Sequence, residues 1–156
     1  MKFAFAAALA LIAASSLPAQ SIAPQRIADL TTTPALPGDW VYSQGADGSE
    51  AVFKDASSTP LLWLRCTRVT REVSVSRPAS AAAATLNIWT STTQQSLPAT
   101  YNAATGRVSF GKYAFDPLFD AMAFSRGRIG VSVGSEAPVV VPPWEEVARV
   151  IEDCRV

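Results

Sequence analysis

The sequence predicts a mainly β domain, an antiparallel sandwich or strongly bent sheet with one short inserted helix and a C-terminal helix. Three observations predict it. Between Trp40 and Val141, short runs in which apolar residues alternate recur between Gly, Asp and Pro turn signals. The period changes to a helical one at Asp116-Pro117 and again after Pro142-Pro143. Cys66 falls on a strand pattern and Cys154 on a helix pattern, each on the apolar side.

Residues 1–19 read as a secretory signal peptide. Met1-Lys2 is a cationic start, Phe3 to Ala14 an apolar run, and Ser15-Ser16-Leu17-Pro18-Ala19 a small-residue cleavage region. The run is shorter than the roughly 20 residues of a spanning helix, and Pro18 stops it. Cleavage is expected after Ala19, because the competing site at Ala23 is followed by Pro24. No cysteine stands there for a lipid anchor. Residues 20–37, rich in Thr, Ala and Pro, read as a flexible leader, and 38–156 as a single β-rich domain. The expected location is periplasmic or secreted.

Within the domain, Trp40-Val41-Tyr42 leads to the turn Gly45-Ala46-Asp47-Gly48 and a strand over Glu50 to Lys54. Leu61 to Cys66 sets Leu62, Leu64 and Cys66 against Leu61, Trp63 and Arg65; two largely apolar faces predict a central, covered strand. Glu72 to Arg77 alternates, with Val73 and Val75 inward and Ser74 and Ser76 outward. The low-complexity tract Pro78 to Ala84 reads as a loop, being too short to sustain a helix alone. Thr85 to Ser91 is a strand with Leu86, Ile88 and Thr90 opposite Asn87 and Trp89, and Asn102 to Gly106 is a turn into Arg107 to Phe110. Asp116 caps a short helix with Pro117 at its first position, Leu118, Phe119 and Met122 on one face and Gly127 as its stop. Arg128 to Val133 and Val139 to Val141 are strands. The closing helix runs from Trp144 to Asp153, with Glu145 and Glu146 matching its dipole and Trp144, Val147, Ile151 and Cys154 forming one stripe.

In an oxidising compartment the even cysteine count predicts a Cys66–Cys154 disulfide. A metal or redox pair is the alternative; without histidine the two thiols lack a zinc set, and no C-x-x-C is present. Closing a loop of roughly 90 residues contributes about 4.6 kcal/mol on the chain-entropy model, an upper figure.

Composition narrows the function classes. The 156 residues are 49% hydrophobic and 17% charged, with 13 Lys+Arg against 13 Asp+Glu and 0 His. Balanced charge argues against nucleic acid and against a polybasic membrane module. The missing histidine removes the usual general base and the Ser-His and Cys-His nucleophiles. No catalytic residue, metal or cofactor is therefore expected.

Of the local patterns, Ser109-Phe110-Gly111-Lys112 spells S-x-x-K, but on a strand rather than the helix that chemistry needs. Asp116 and Asp120 stand one helical turn apart, positioned either to share a proton or to act as cap and solvated charge. Glu145-Glu146 reads as a dipole-matched first turn. Arg126 and Arg128 flank Gly127 and are the leading candidates for binding a ligand or partner, since guanidinium forks suit carboxylates and phosphates. The structural alternative has them bonding helix carbonyls or pairing with Asp120 or Glu146. Trp40, Trp63, Trp89 and Trp144 would suit stacking on sugars if exposed in a row, but each lies on an apolar face and is expected in the core.

The stretches Asp116-Pro117-Leu118-Phe119-Asp120-Ala121-Met122-Ala123-Phe124-Ser125-Arg126-Gly127-Arg128, Pro142-Pro143-Trp144-Glu145-Glu146 and Val150-Ile151-Glu152-Asp153-Cys154-Arg155, with Leu64-Arg65-Cys66, are similar to small exported alphaproteobacterial proteins of unassigned function. The similarity covers roughly Trp40 to Arg155. More loosely, the layout resembles the invasion-associated locus B proteins and the periplasmic type VI secretion-associated proteins, which also set strands around a two-helix unit. That looser likeness shares no site motif and carries over no functional residue. The resemblance implies an envelope protein without known catalysis.

The expected function is a non-enzymatic binding or interaction protein of the cell envelope, with a protein or cell-wall partner, no nucleic acid, and no membrane span once the signal is removed. The alternatives are an inhibitor of a cell-wall hydrolase, which needs a loop protruding into the enzyme's cleft, and a small hydrolase in which two of Asp116, Asp120 and Glu145 converge in a pocket. A structural envelope component, with an open apolar patch or strand edge, is a third.

Overall fold

The computed structural model describes Leu30 and residues 32–156. The signal segment 1–19 and most of the 20–37 leader lie outside the described residues.

The described residues form two antiparallel sheets and two helices. Strands β1 (Gly38–Gly45), β2 (Gly48–Asp55), β3 (Pro60–Thr67) and β4 (Glu72–Pro78) follow one another as hairpins, and β8 (Arg107–Tyr113) and β7 (Thr100–Asn102) complete a six-stranded sheet in the order β1-β2-β3-β4-β8-β7. The second sheet has the order β10-β9-β5-β6, from β5 (Thr85–Trp89), β6 (Gln94–Pro98), β9 (Ile129–Val133) and β10 (Val139–Val141). Helix α1 (Pro117–Ala123) is inserted between β8 and β9, and α2 (Glu145–Asp153) follows β10. This is the predicted antiparallel sandwich with a short inserted helix and a C-terminal helix.

Both covering layers lie on one face of the larger sheet. Phe53, Leu62, Leu64, Cys66, Val73, Val75, Val108 and Phe110 point inward and are buried. Helix α2 packs over β1, β2 and β3 and carries α1 against it, while β5 approaches β8. The opposite face keeps Val41, Trp63, Arg65 and Arg107 half-buried or exposed. Strand β3 is therefore central but covered on one side, where two covered faces were expected. Its second apolar set is satisfied within the sheet: Val41, Val52 and Trp63 face one another across three strands.

The tryptophans also depart from expectation. Trp40 is buried, edge-on to Phe53 at 5.5 Å, and donates Nε1–H to the Pro142 carbonyl at 2.8 Å. Trp63 and Trp89 are half-buried, and Trp144 is 44% exposed. Trp144 is the N-cap of α2 rather than part of its stripe, which consists of Val147, Val150, Ile151 and Cys154. Helix α1 ends at Ala123, short of Gly127, because Ser125 turns inward and donates its hydroxyl to the Arg128 carbonyl. Strands β6 and β7 were not predicted. They are sheet edges with mostly polar residues, so no alternation marks them.

Cys66 and Cys154 form the expected disulfide, Cα–Cα 5.4 Å, joining β3 to the end of α2. Around it, Arg155 donates Nε–H to the Ala114 carbonyl at 3.1 Å and its two other nitrogens to Asp120 and Glu152 at 2.7 and 3.1 Å. Tyr42 donates its hydroxyl to Asp153 at 2.6 Å. That bond holds the phenol above its ordinary pKa. The two sheets are joined by Arg77, inward on β4 and 9% exposed. Its Nη1 donates to the carbonyls of Val131 at 2.8 Å and Ala137 at 3.0 Å, and Nη2 lies 3.5 Å from Glu136. Burial lowers its pKa, with Glu136 opposing. The packed chain begins ahead of Gly38: Leu30 is buried against Gly130, where any Cβ would overlap it, and Leu36 donates its N–H to the Val140 carbonyl at 2.8 Å.

Two outcomes follow. Alkylation without reductant labels no thiol, and replacing both cysteines by serine costs about 2–4 kcal/mol in urea unfolding. Arg77→Ala leaves the Val131 and Ala137 carbonyls without their donor and costs about 2–3 kcal/mol by the same measurement.

Candidate functional site

The open face of the six-stranded sheet is organised by register. Trp63 on β3 stands opposite Ser76 on β4, which stands opposite Ser109 on β8. One row along, Arg65, Ser74 and Gly111 are aligned. Because serine and glycine are small, the middle of the face sinks into an open depression of about 310 Å³. Trp63 walls one side, and Asn102, Thr105 and Arg107 of the β7–β8 hairpin wall the other. A second depression, about 210 Å³, lies at the β1–β2 turn and shares Glu50 and Arg65 with the first.

The polar groups have defined orientations. The Arg107 guanidinium lies over the Trp63 ring at 4.5 Å, a cation–π contact that restricts the side chain. Among the described residues no carboxylate lies within ion-pair distance of Arg107. Arg65 is 3.7 Å from Glu50. Glu72 lies across Gly111, where any Cβ would overlap its carboxylate. Beyond it Tyr113 and Phe115 are exposed, their rings 5.4 Å apart. The face thus offers an aromatic plate, two guanidiniums with one nearby carboxylate, and a hydroxyl floor, a combination suited to holding a polar, negatively charged ligand.

The residues singled out from the sequence lie elsewhere. Arg126 is exposed and Arg128 half-buried in the α1–β9 connection. That connection is tied to the β5–β6 turn: Arg126 donates its backbone N–H to the Ser91 hydroxyl at 2.8 Å, and Ser91 donates its own to Ser125 at 3.0 Å. Asp120 pairs with Arg155 at 2.7 Å rather than with either of them. Ser109 and Lys112 point to opposite faces of β8, so they cannot act together. Lys112 instead bonds Asp116 at 2.7 Å, while Asp116 caps α1 by accepting the Leu118 N–H at 2.9 Å. Burial alone would raise the Asp116 pKa; the Lys112 and Leu118 bonds outweigh it and hold the carboxyl below its usual range. Asp116 and Asp120 therefore have separate cations, Lys112 and Arg155, and Glu145 is exposed in the first turn of α2. Among the described residues no group of three or more metal-ligating side chains converges, and no helix is long and apolar enough to cross a membrane.

Sequence reasoning missed the Trp63–Arg107 pair. Arg65 breaking an otherwise apolar strand face was its one signal; Arg107 reaches Trp63 only through the β3-β4-β8 register. Comparison with family models, with characterised proteins and with solved structures returns no match.

Asp116 supplies a pH-dependent prediction. Its folded pKa is depressed, so its contribution is complete above the unfolded value of about 3.9 and is lost as pH falls through the folded value. Asp116→Ala costs about 1 kcal/mol near neutrality. In urea unfolding across pH, the gap from wild type closes below that range.

Proposed function

We propose that this chain is a non-enzymatic binding protein of the cell envelope and that it binds through the open face of its six-stranded sheet. One observation carries the reading: a tryptophan on a central strand is left at the surface with an arginine stacked on it, in the middle of a face that neither covering layer occupies. A sheet's central strand is where burial is easiest, so leaving a large aromatic half-exposed there forgoes hydrophobic stabilisation. Trp and Arg are also the residues that dominate binding surfaces. The envelope assignment is supported by the signal-like segment 1–19, the disulfide and the resemblance of the C-terminal pattern to small exported proteins.

A second observation favours hydrolase inhibition. Val69, at the tip of the β3–β4 hairpin, is 92% exposed between Arg68 and Arg71. The tip is braced by Arg68 N–H to the Asp47 carbonyl at 2.9 Å, by Arg71 in a left-handed conformation (φ 51°), and by the adjacent disulfide. Such a tip fits a cleft rimmed by carboxylates, as glycan hydrolases have.

Sedimentation of the exported chain with isolated cell envelopes separates the possibilities. Trp63→Ala and Arg107→Ala each weaken association about tenfold, while Arg126→Ala/Arg128→Ala leaves it unchanged. The reverse pattern moves the surface to the α1–β9 connection and overturns the proposal. If the inhibitor reading holds, the wild type slows a muramidase acting on purified peptidoglycan and Val69→Asp does not.

A further inference from the structure

We infer that the ligand of this open face is a carboxylated sugar chain, a conclusion that rests on the face being the binding surface. The argument begins with Arg107. Its guanidinium carbon lies 4.5 Å over the Trp63 ring, and among the described residues no carboxylate pairs with it, so the N–H groups along its edge are open to a ligand. A carboxylate is the planar acceptor that matches such an edge with two parallel hydrogen bonds. The contact with Trp63 restricts the side chain before a ligand arrives, so less freedom remains to be lost on binding.

The rest of the lining selects what carries that carboxylate. Ser74, Ser76 and Ser109 form the floor of the depression. Each hydroxyl both donates and accepts, the pairing that sugar hydroxyls, themselves donors and acceptors, can satisfy. An apolar ligand would leave these groups unpaired. Charge sets the density of anionic groups. Arg65 and Arg107 face one carboxylate in the depression, Glu50, and Glu72 lies beyond Gly111 on the same face. Two guanidiniums against Glu50 leave a single excess positive charge in the depression, and Glu72 at its margin brings the face to neutrality; that balance accommodates widely spaced anions and disfavours a polyphosphate, whose charges crowd every few ångströms.

Shape sets the length. The depression is open and continues through Glu50 and Arg65 into the second one at the β1–β2 turn. The two together, about 310 and 210 Å³, suit a chain lying along the sheet rather than a single ring held in a pocket. Two common sources of a carboxylate on a sugar chain are the C6 position of a uronic acid and the lactyl ether of muramic acid. The chemistry at Arg107 is the same for both.

The test is calorimetric titration of the exported chain with four probes: tetragalacturonic acid, its methyl ester, a peptide-free peptidoglycan tetrasaccharide whose muramic acid lactyl carboxylates are free, and sodium acetate. The expected result is binding of at least one acidic oligosaccharide. Binding of that oligosaccharide falls at least tenfold with Arg107→Gln, and tetragalacturonic acid binds at least tenfold more tightly than its ester. Which acid binds identifies the uronic or the lactyl source. Acetate binding as tightly as the oligosaccharides would overturn the inference by making the site one for simple anions. Equal binding of tetragalacturonic acid and its ester, both lost with Trp63→Ala, overturns the carboxylate assignment and leaves the binding surface standing. So does absence of binding by every probe while envelope association still depends on Trp63. Loss of neither property in the Trp63 and Arg107 variants removes the surface itself. Trp63 packs across the strands against Val52, so Trp63→Ala lowers the urea midpoint; each titration therefore uses a variant whose far-UV circular dichroism matches the wild type, which shows that a lost signal is lost binding.

Discussion

The Cys66–Cys154 bond is the constraint on which the helical half of the molecule depends. Helix α2 has nine residues, shorter than the roughly 12–15 at which an isolated helix becomes even marginally stable in water. It persists because Val147, Val150 and Ile151 are buried against β1–β3, each contributing about 1.5–3 kcal/mol, and because its end is bonded to the sheet. Arg155 extends the attachment to α1, through Asp120 and the Ala114 carbonyl. Without that anchorage, Phe53, Leu62 and Leu64 would face water where the helix now lies.

The other half of the same inner face is closed by different means. Over β4 and β8 the covering layer is a second sheet, and a buried guanidinium spans the gap. Arg77 satisfies two carbonyls of the four-stranded layer while its own Nε has no hydrogen-bond partner among the described residues. A long charged side chain is an expensive filler, yet it reads the register of the opposing sheet in a way that an aliphatic residue cannot. One half of the sandwich is fastened covalently and the other by directional polar bonds. Because both layers stack on one side, the remaining face is left open, and the candidate site exists for that reason.

How much was legible in the sequence follows from which physical signals are local. The inward sets of β3, β4 and β5 were readable from alternation, as were the Asp116-Pro117 start of α1 and both cysteine positions, since a strand period and a helix period independently pointed them inward. Local chemistry did not mark β6 and β7, whose edge positions tolerate polar residues, nor the early end of α1, which depends on Ser125 bonding across a turn. The site was the least legible part. Apolar residues on both sides of β3 read as burial on both sides, whereas Trp63 is sheltered by its cross-strand row with Val52 and Val41 and by the Arg107 guanidinium over its ring. The approach of Arg107 depends on two strand registers that no short window contains. Arg126 and Arg128 drew attention because they are adjacent in sequence; the residues that share a surface are not.

The order of the elements along the chain has a consequence for how the protein is made. Every strand precedes α2, and the contacts that seat the helix join distant positions: Tyr42 to Asp153 and Trp40 to Pro142 span 111 and 102 residues. A nascent chain emerging from its N-terminal end therefore completes the six-stranded sheet while half of its apolar inner surface has no cover. Loop closure over such distances is slow, and bare sheet surface associates readily with other chains. Until α2 arrives, that half of the sheet stays open to association with other chains.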